Sequence, residues 1–401
     1  MVRPVKGLFP ELENDLNSFS DVTTGILPSQ DIEALLDKGA IISDVPISRS
    51  QVQPASIDLR LGPAAHRVRA SFLPGRNASV SGKIEHLRMH EIDISKPAVL
   101  EKGCVYIIPL LEELRLPKDI SGKANPKSTT GRLDVFTRLI TDYGAEFERV
   151  PAGYRGRLYV EVVPRTFSIL VSQGISLNQL RFLRGNPTPS DKEHRELDEN
   201  EALVFTHDDT RGSPMINDGL WISVDLEGAG DSAVIGYKAK RHAPLIDLAR
   251  INYYDPSEFW DSIPRPKEKK IVLDPDDFYI LVSKEKIRIP PTYAAAMVAY
   301  DPTVGEFRIH YAGFFDPGFG YGSHDEISGT RAVLEVRTHE VPFLIEDGQT
   351  VGRLVYERLL AKPTRTYGSG IGSSYQSQGL SLSKQFKRVD PAPQALQADA
   401  A

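Results

Sequence analysis

The fold class predicted for this 401-residue sequence is mainly β, built as two tandem copies of one domain with few short helices. Three observations carry that prediction. Gly and Pro, 31 and 29 residues, break the chain into short segments. Between them lie Val/Ile/Tyr-rich runs of strand length. One set of spacings also occurs twice: Glu161, Gly174 and Leu180 recur as Glu335, Gly348 and Leu354, with equal intervals (174 − 161 = 348 − 335 = 13; 180 − 174 = 354 − 348 = 6). Val105-Tyr106-Ile107 ahead of Pro117 recurs as Phe278-Tyr279-Ile280 ahead of Pro290, and Ile57-Asp58-Leu59 as Ile246-Asp247-Leu248. A period this long is no solenoid repeat and fits a duplicated domain.

The elements follow in order. Residues 1–25 read as a loose leader. Ser29 is placed to cap a short helix with Ile32, Leu35 and Leu36 on one face and Gly39 as its stop. Residues 53–62 alternate as a half-buried strand does, with Ile57, Leu59 and Leu61 inward and Asp58 and Arg60 opposite. Strands are predicted at 105–109, 156–163 and 168–171. Residues 186–202 are polar and charged and read as an exposed excursion at a boundary. A hairpin is predicted within 219–238, and a second run of strands from Ile271. The domains expected are therefore 26–186 for copy one, 187–240 as insertion or linker, 241–385 for copy two and 386–401 as a disordered tail.

Composition excludes several function classes. Lys plus Arg number 48 against 54 Asp plus Glu, a net charge of −6 without the basic footprint of a nucleic-acid binder. No apolar run approaches the roughly 20 residues of a membrane helix, and the N-terminal stretch lacks the apolar core of a signal peptide, so the cytoplasm is the default compartment. The single cysteine, Cys104, excludes an internal disulfide. It also excludes the His/Cys/Cys zinc site of the zinc nucleobase deaminases.

Chemistry concentrates in two places. Pro126-Lys127-Ser128-Thr129-Thr130-Gly131-Arg132 combines hydroxyls, a Lys and an Arg in a pattern suited to phosphate oxygens. It is no P-loop, because Pro126 stands where a glycine N–H is needed. Taken alone, such a stretch is more often a solvated turn. The matching stretch of copy two, residues 301–306, carries Glu306 where copy one has Arg132, and a carboxylate there repels phosphate. Copy two has instead a better-formed turn, residues 310–319 with Asp316, ahead of Glu335. Each copy keeps what the other lacks.

QPASIDLRLG, KSTTGRL, the turn from Ala312 to DPGF, VLEV, DGQTVGRLVY and YQSQGLSLSK stand in this order over residues 26–384. Together they resemble the signatures of the dCTP deaminase family, relatives of dUTPase with a β-clip, distorted jelly-roll fold. The double length departs from that family's usual single-domain homotrimer and is similar to a fused, two-copy branch.

The resemblance implies hydrolytic deamination of dCTP to dUTP and ammonia, without zinc and with Mg²⁺ carried on the triphosphate. It implies Glu335 as general base, with Glu161 as its copy-one counterpart. Ser128 and Arg132 would orient water and stabilise developing charge, and Lys127 and Thr129 would hold phosphate. Backbone near Tyr311 and Ala312 would read the amine, Asp316 would contact the sugar side, and Tyr367 and Gln378 would close over the phosphates. Ser374 stands where the family often has a Lys. A homo-oligomer and dTTP as an inhibitor are further implications.

The residues themselves leave alternatives open: a dUTP diphosphatase, a bifunctional enzyme, or a non-catalytic nucleotide-binding regulator. A lone strand Glu ordinarily lies on a solvated face, and for Glu161 that plain role competes with catalysis. The complementary losses predict one working site where copy one's phosphate and Arg elements meet copy two's Glu335.

Overall fold

The computed structural model describes residues 23–228, 233–298, 307–309, 313–322, 327–338, 341–367 and 379–388. Two six-stranded antiparallel sheets share one strand order. The first runs Arg88–Asp93, Ala64–Val68, Val105–Arg115, Arg155–Pro164, Val135–Thr141, with Ile41–Ile42 paired on Val105–Arg115. The second runs Trp260–Pro264, Val234–Ala239, Phe278–Ile287, Thr330–Thr338, Phe307–Ile309, with Val204–Phe205 paired on Phe278–Ile287. Register repeats as well, since Glu161 lies opposite Ile107 and Glu335 opposite Ile280. Each sheet has a five-stranded companion, centred on Ser176–Arg184 in the first half and on Thr350–Arg358 in the second.

These long strands are runs of β-branched and aromatic residues that fill two cores. The first gathers Ile57, Leu59, Ile108, Val160 and Phe182, and the second Ile222, Leu281, Leu334, Leu354 and Tyr356. No helix among the described residues is long and apolar enough to cross a membrane.

Several expectations are corrected. The first helix, Ser29–Asp37, is capped by Pro28 in an extended conformation, and Ser29 is its first helical residue, its hydroxyl 3.2 Å from that of Thr364. Residues 186–202 are largely exposed, as expected, but they are not irregular. They hold the helix Asp191–Glu201, started by a capping box in which Ser190 and Glu193 satisfy each other's N–H groups. The helix buries one narrow face. There His194 Nδ1 donates to Ser190 O at 3.0 Å, and Nε2 accepts from the Tyr356 N–H at 3.2 Å.

Nor is 187–240 a linker. Val204–Phe205, Leu220–Ser223 and Val234–Ala239 all pair with second-half strands, and the last two belong to different sheets, so they form no hairpin with each other. The recurrence of Ile-Asp-Leu is also not structural. Ile57–Arg60 pairs with Ser176–Arg184, whereas Ile246–Asp247 pairs in parallel with Ile169 and Leu170 of the first half.

The tail expected from 386 begins ordered: Phe386 is 3% exposed and packs on Tyr254, Phe259 and Trp260. At the other end Gly25 opens the strand Gly25–Ile26 rather than closing a leader. A Cβ at Gly25 would stand 2.9 Å from Arg358 O and Leu360 N, so the two halves approach backbone to backbone here.

The halves are also joined by buried charge. Arg181, 1% exposed, leaves the first half to donate to Ala295 O and Phe315 O, both at 2.9 Å. It ion-pairs with Asp316 at 3.4 Å and Glu357 at 3.9 Å and lies over the Phe314 ring. Arg181→Met leaves two buried carboxylates without their cation, and removing one partner of such a pair costs roughly 3–5 kcal/mol. The expected outcome is a loss of that size in urea unfolding with a matching fall in Tm. A change below about 1 kcal/mol would refute the role of this contact.

Candidate active site

Ser128–Gly131 forms a single helical turn after Lys127, so the N–H groups of Ser128 and Thr129 have no helical partner. Lys127 is held by Asp58, which accepts from its Nζ. Asp58 is buried, and that burial raises its carboxyl above the usual range despite Lys127. At the other end of the turn the chain runs on through Arg132, Leu133 and Asp134, the last at a left-handed φ of 53°.

Here the two halves meet. Arg132 Nε lies 4.0 Å from Glu335 Oε1, with side chains 4% and 8% exposed. Two residues along each chain the charges are reversed: Arg337 pairs with Asp134 and donates to Thr166 Oγ1 at 3.0 Å. All nine residues of Thr330–Thr338 are buried, so Glu335 is not on the solvated face an isolated strand would give it. The cause is the first half packing against that strand. Burial lifts the Glu335 carboxyl from its ordinary 4.5 to about 8, against the opposing pull of Arg132.

Asp316 starts the DPGF turn, where Phe319 N donates to Asp316 O at 3.1 Å. Gly318, at φ 93°, lets Thr366 and Tyr367 press close: a Cβ would stand 3.0 Å from Thr366 Cβ. Tyr367 N donates to Pro317 O at 2.8 Å, and its ring packs on Phe319. Burial raises the Asp316 carboxyl, with Arg181 opposing and Asp58 and Lys127 within electrostatic reach. Lys127, Asp58 and Asp316 thus share one neighbourhood.

The structure brings Ser128, Thr129, Lys127, Arg132, Glu335, Asp316 and Tyr367 to this junction of the halves. It places Glu161 elsewhere. That carboxylate, wholly buried, accepts from Arg138 Nη2 at 2.6 Å and Nε at 3.0 Å. Arg138 is in turn stacked on Phe147 at 3.5 Å and neighbours Glu148, whose carboxyl burial pushes up to about 8. Tyr311, Ala312, Gln378, Ser374 and the stretch 301–306 lie outside the described residues.

Sequence reasoning missed Asp58, Asp134, Arg181, Arg337 and the C-terminal contacts. Asp58 carried a signal, since it lies in the recurrent-looking QPASIDLRLG segment. It was assigned with Arg60 to the outward face, yet Ile57–Arg60 is buried throughout. Arg60 is tolerated there because Glu112 accepts from its Nε at 2.7 Å and from its N–H at 2.8 Å.

The Glu335 shift makes a prediction about stability. A carboxyl whose folded pKa is raised stabilises the fold least when ionised, so its contribution is lost as pH rises from about 4.5 towards 8. Glu335→Gln therefore flattens that slope, by an amount on the order of a few kcal/mol between pH 5 and 8. Urea unfolding at both pH values checks it, and an unchanged slope contradicts the buried, protonated carboxyl.

Two family models match, described as the N-terminal and C-terminal domains of 2'-deoxycytidine 5'-triphosphate deaminase, over residues 23–186 and 190–386. A crystal structure of 2'-deoxycytidine 5'-triphosphate deaminase from Agrobacterium tumefaciens is 50% identical, covers 85% of this chain and 100% of its own, and has a TM-score of 0.80. More distant are curated proteins named "dCTP deaminase, dUMP-forming". That of Methanosphaera stadtmanae is 26% identical over 34% of this chain and 67% of its own. That of Streptomyces coelicolor is 29% identical over 40% and 80%. Matched by both family models in succession, and half identical to a relative over that relative's whole length, this chain belongs to the dCTP deaminase family.

Proposed function

We propose that one catalytic centre per chain is assembled across the two halves, with Glu335 from the second and Ser128 and Arg132 from the first. The activity of the chain is the hydrolytic deamination of dCTP. The observation that carries this reading is the approach of Arg132 to Glu335, 4.0 Å apart, in a pocket that holds the carboxyl near a pKa of about 8. A base poised there exchanges protons readily at working pH and contributes about 10²- to 10⁴-fold.

Ionised Glu335 takes a proton from water as the oxygen bonds to C4 of cytosine. It then returns that proton to the exocyclic nitrogen as the C4–N4 bond breaks. With the second water proton passing from O4 to N3, water and dCTP become ammonia and dUTP. Arg132 and the Ser128 hydroxyl offset the charge that develops during addition. Lys127 and Thr129 hold phosphate, and Asp316, fixed by Arg181, faces the sugar side. The resemblance adds backbone near Tyr311 and Ala312 for the amine, and Tyr367 and Gln378 for closure over the phosphates.

Mg²⁺ enters with the triphosphate as part of the substrate, held by phosphate oxygens and water. No zinc is used in this reading, which rests on the single cysteine and on a base and cation already supplied by the chain. The matching strand orders of the halves support two tandem β-clip, jelly-roll-like domains. A cytoplasmic homo-oligomer inhibited by dTTP completes the proposal.

A second product is favoured by one observation: the curated relatives carry "dUMP-forming" in their names. If this chain shares that property, it also hydrolyses the α–β phosphoanhydride and releases pyrophosphate.

Incubation of the pure protein with dCTP, and separately with dUTP, under Mg²⁺ and a zinc chelator tests all of this by chromatography. Ammonia with dUTP is expected; dUMP with pyrophosphate establishes the second step. Absence of ammonia removes the assignment, and activity lost to zinc chelation alone removes the zinc-free mechanism. Glu335→Gln is expected to lower kcat by about 10²-fold or more, while Glu161→Gln stays within about threefold of wild type. The reverse pattern would show that the catalytic copies are exchanged. The limb of kcat/KM governed by the base rises with pH up to about 8. A limb at pH 4 to 5 contradicts a buried general base.

A further inference from the structure

We propose that Lys384 is a triphosphate-binding residue, joining Lys127 across a cleft beside the phosphate motif. The proposal rests on the dCTP reading and deepens it. The cleft has a volume of about 420 Å³, and Ser50, Lys127, Thr129, Ser176 and Lys384 are among its lining residues. That size is within the range of small-molecule sites.

The segment carrying Lys384 is fixed on both sides. Ser381 O accepts from Arg132 Nη1 at 3.0 Å, and Ser383 Oγ donates to Thr129 O at 2.9 Å. Beyond it, Gln385 Nε2 donates to Leu248 O at 3.2 Å, and Phe386 is buried. Lys384 is thereby held against the phosphate motif by the same two residues, Thr129 and Arg132, that belong to the site.

The electrostatics point to an anion. The carboxylate facing Lys384 is Asp58, and Asp58 is already bonded to Lys127. Two ammonium groups therefore share one carboxylate. Burial and the neighbouring Lys127 both make the charged form of Lys384 less favourable. Phosphate oxygens would relieve that repulsion, with the hydroxyls of Ser50, Thr129 and Ser176 as added donors. Lys suits this task as a point charge that follows a flexible polyphosphate.

The test compares wild type, Lys384→Met and Lys384→Arg. For the Met variant the KM for dCTP is expected to rise about tenfold or more with kcat within about threefold, and the Arg variant to recover most of the loss. Calorimetry with inorganic tripolyphosphate gives a readout independent of turnover, with affinity expected to fall about tenfold in Lys384→Met. Met-variant KM and tripolyphosphate affinity both within about twofold of wild type would overturn the proposal. So would equal damage in the Met and Arg variants, which would mark a packing role. If wild type binds tripolyphosphate through Lys384 but releases no ammonia from dCTP, the functional reading fails while the anion site stands.

Discussion

The structure depends on a crossed pair of buried charges. Arg132 and Asp134, two apart in the first half, meet Glu335 and Arg337, two apart in the second. Each strand or turn presents one basic and one acidic group, so each finds its complement across the interface. Buried ions are tolerated only when paired. Separated, each half would expose or strand these four groups, and the Glu335 carboxyl would lose both its desolvation and its arginine. Arg181 adds a second tie by anchoring the DPGF turn. The surroundings of Glu335 and the packing of the halves are therefore one constraint.

Two glutamates at matching positions of the two sheets have different surroundings. Glu161 and Glu335 have the same register in the same sheet order. Glu161 Oε1 receives two hydrogen bonds from an arginine of its own sheet, stacked on Phe147. Glu335 faces an arginine from the other half at a longer distance and without a direct hydrogen bond between them. The first arrangement ties one carboxyl oxygen to a single guanidinium of the same sheet. The second leaves a carboxyl that changes protonation near neutrality, which is the property a general base requires.

Much of this was legible in the residues. The equal spacings exposed the duplication because homologous strands keep their intervals. The swap of Arg132 for Glu306 pointed to complementary halves. Other features were hidden for physical reasons. The helix Asp191–Glu201 buries one narrow face and carries only Leu197 as an apolar anchor, so its periodicity is faint. The outward face expected for Asp58 and Arg60 is buried because ion pairs with Lys127 and Glu112 compensate them, and such pairing is invisible in a hydrophobic pattern. Ile-Asp-Leu at 246 matched by composition and not by place.

By itself the sequence determined the mainly β class of the fold and the residue types that chemistry would use, because strand length, turn residues and spacing are local properties. It also favoured Glu335 over Glu161 from the complementary losses. The different surroundings of the two carboxyls belong to the tertiary structure, since the arginine beside each comes from 23 residues away in one case and from the other half of the chain in the other. Burial, charge pairing and the Glu335 pKa are properties of what packs around a group. The same holds for Lys384, an ordinary lysine near the chain's end until the fold lays it beside Lys127.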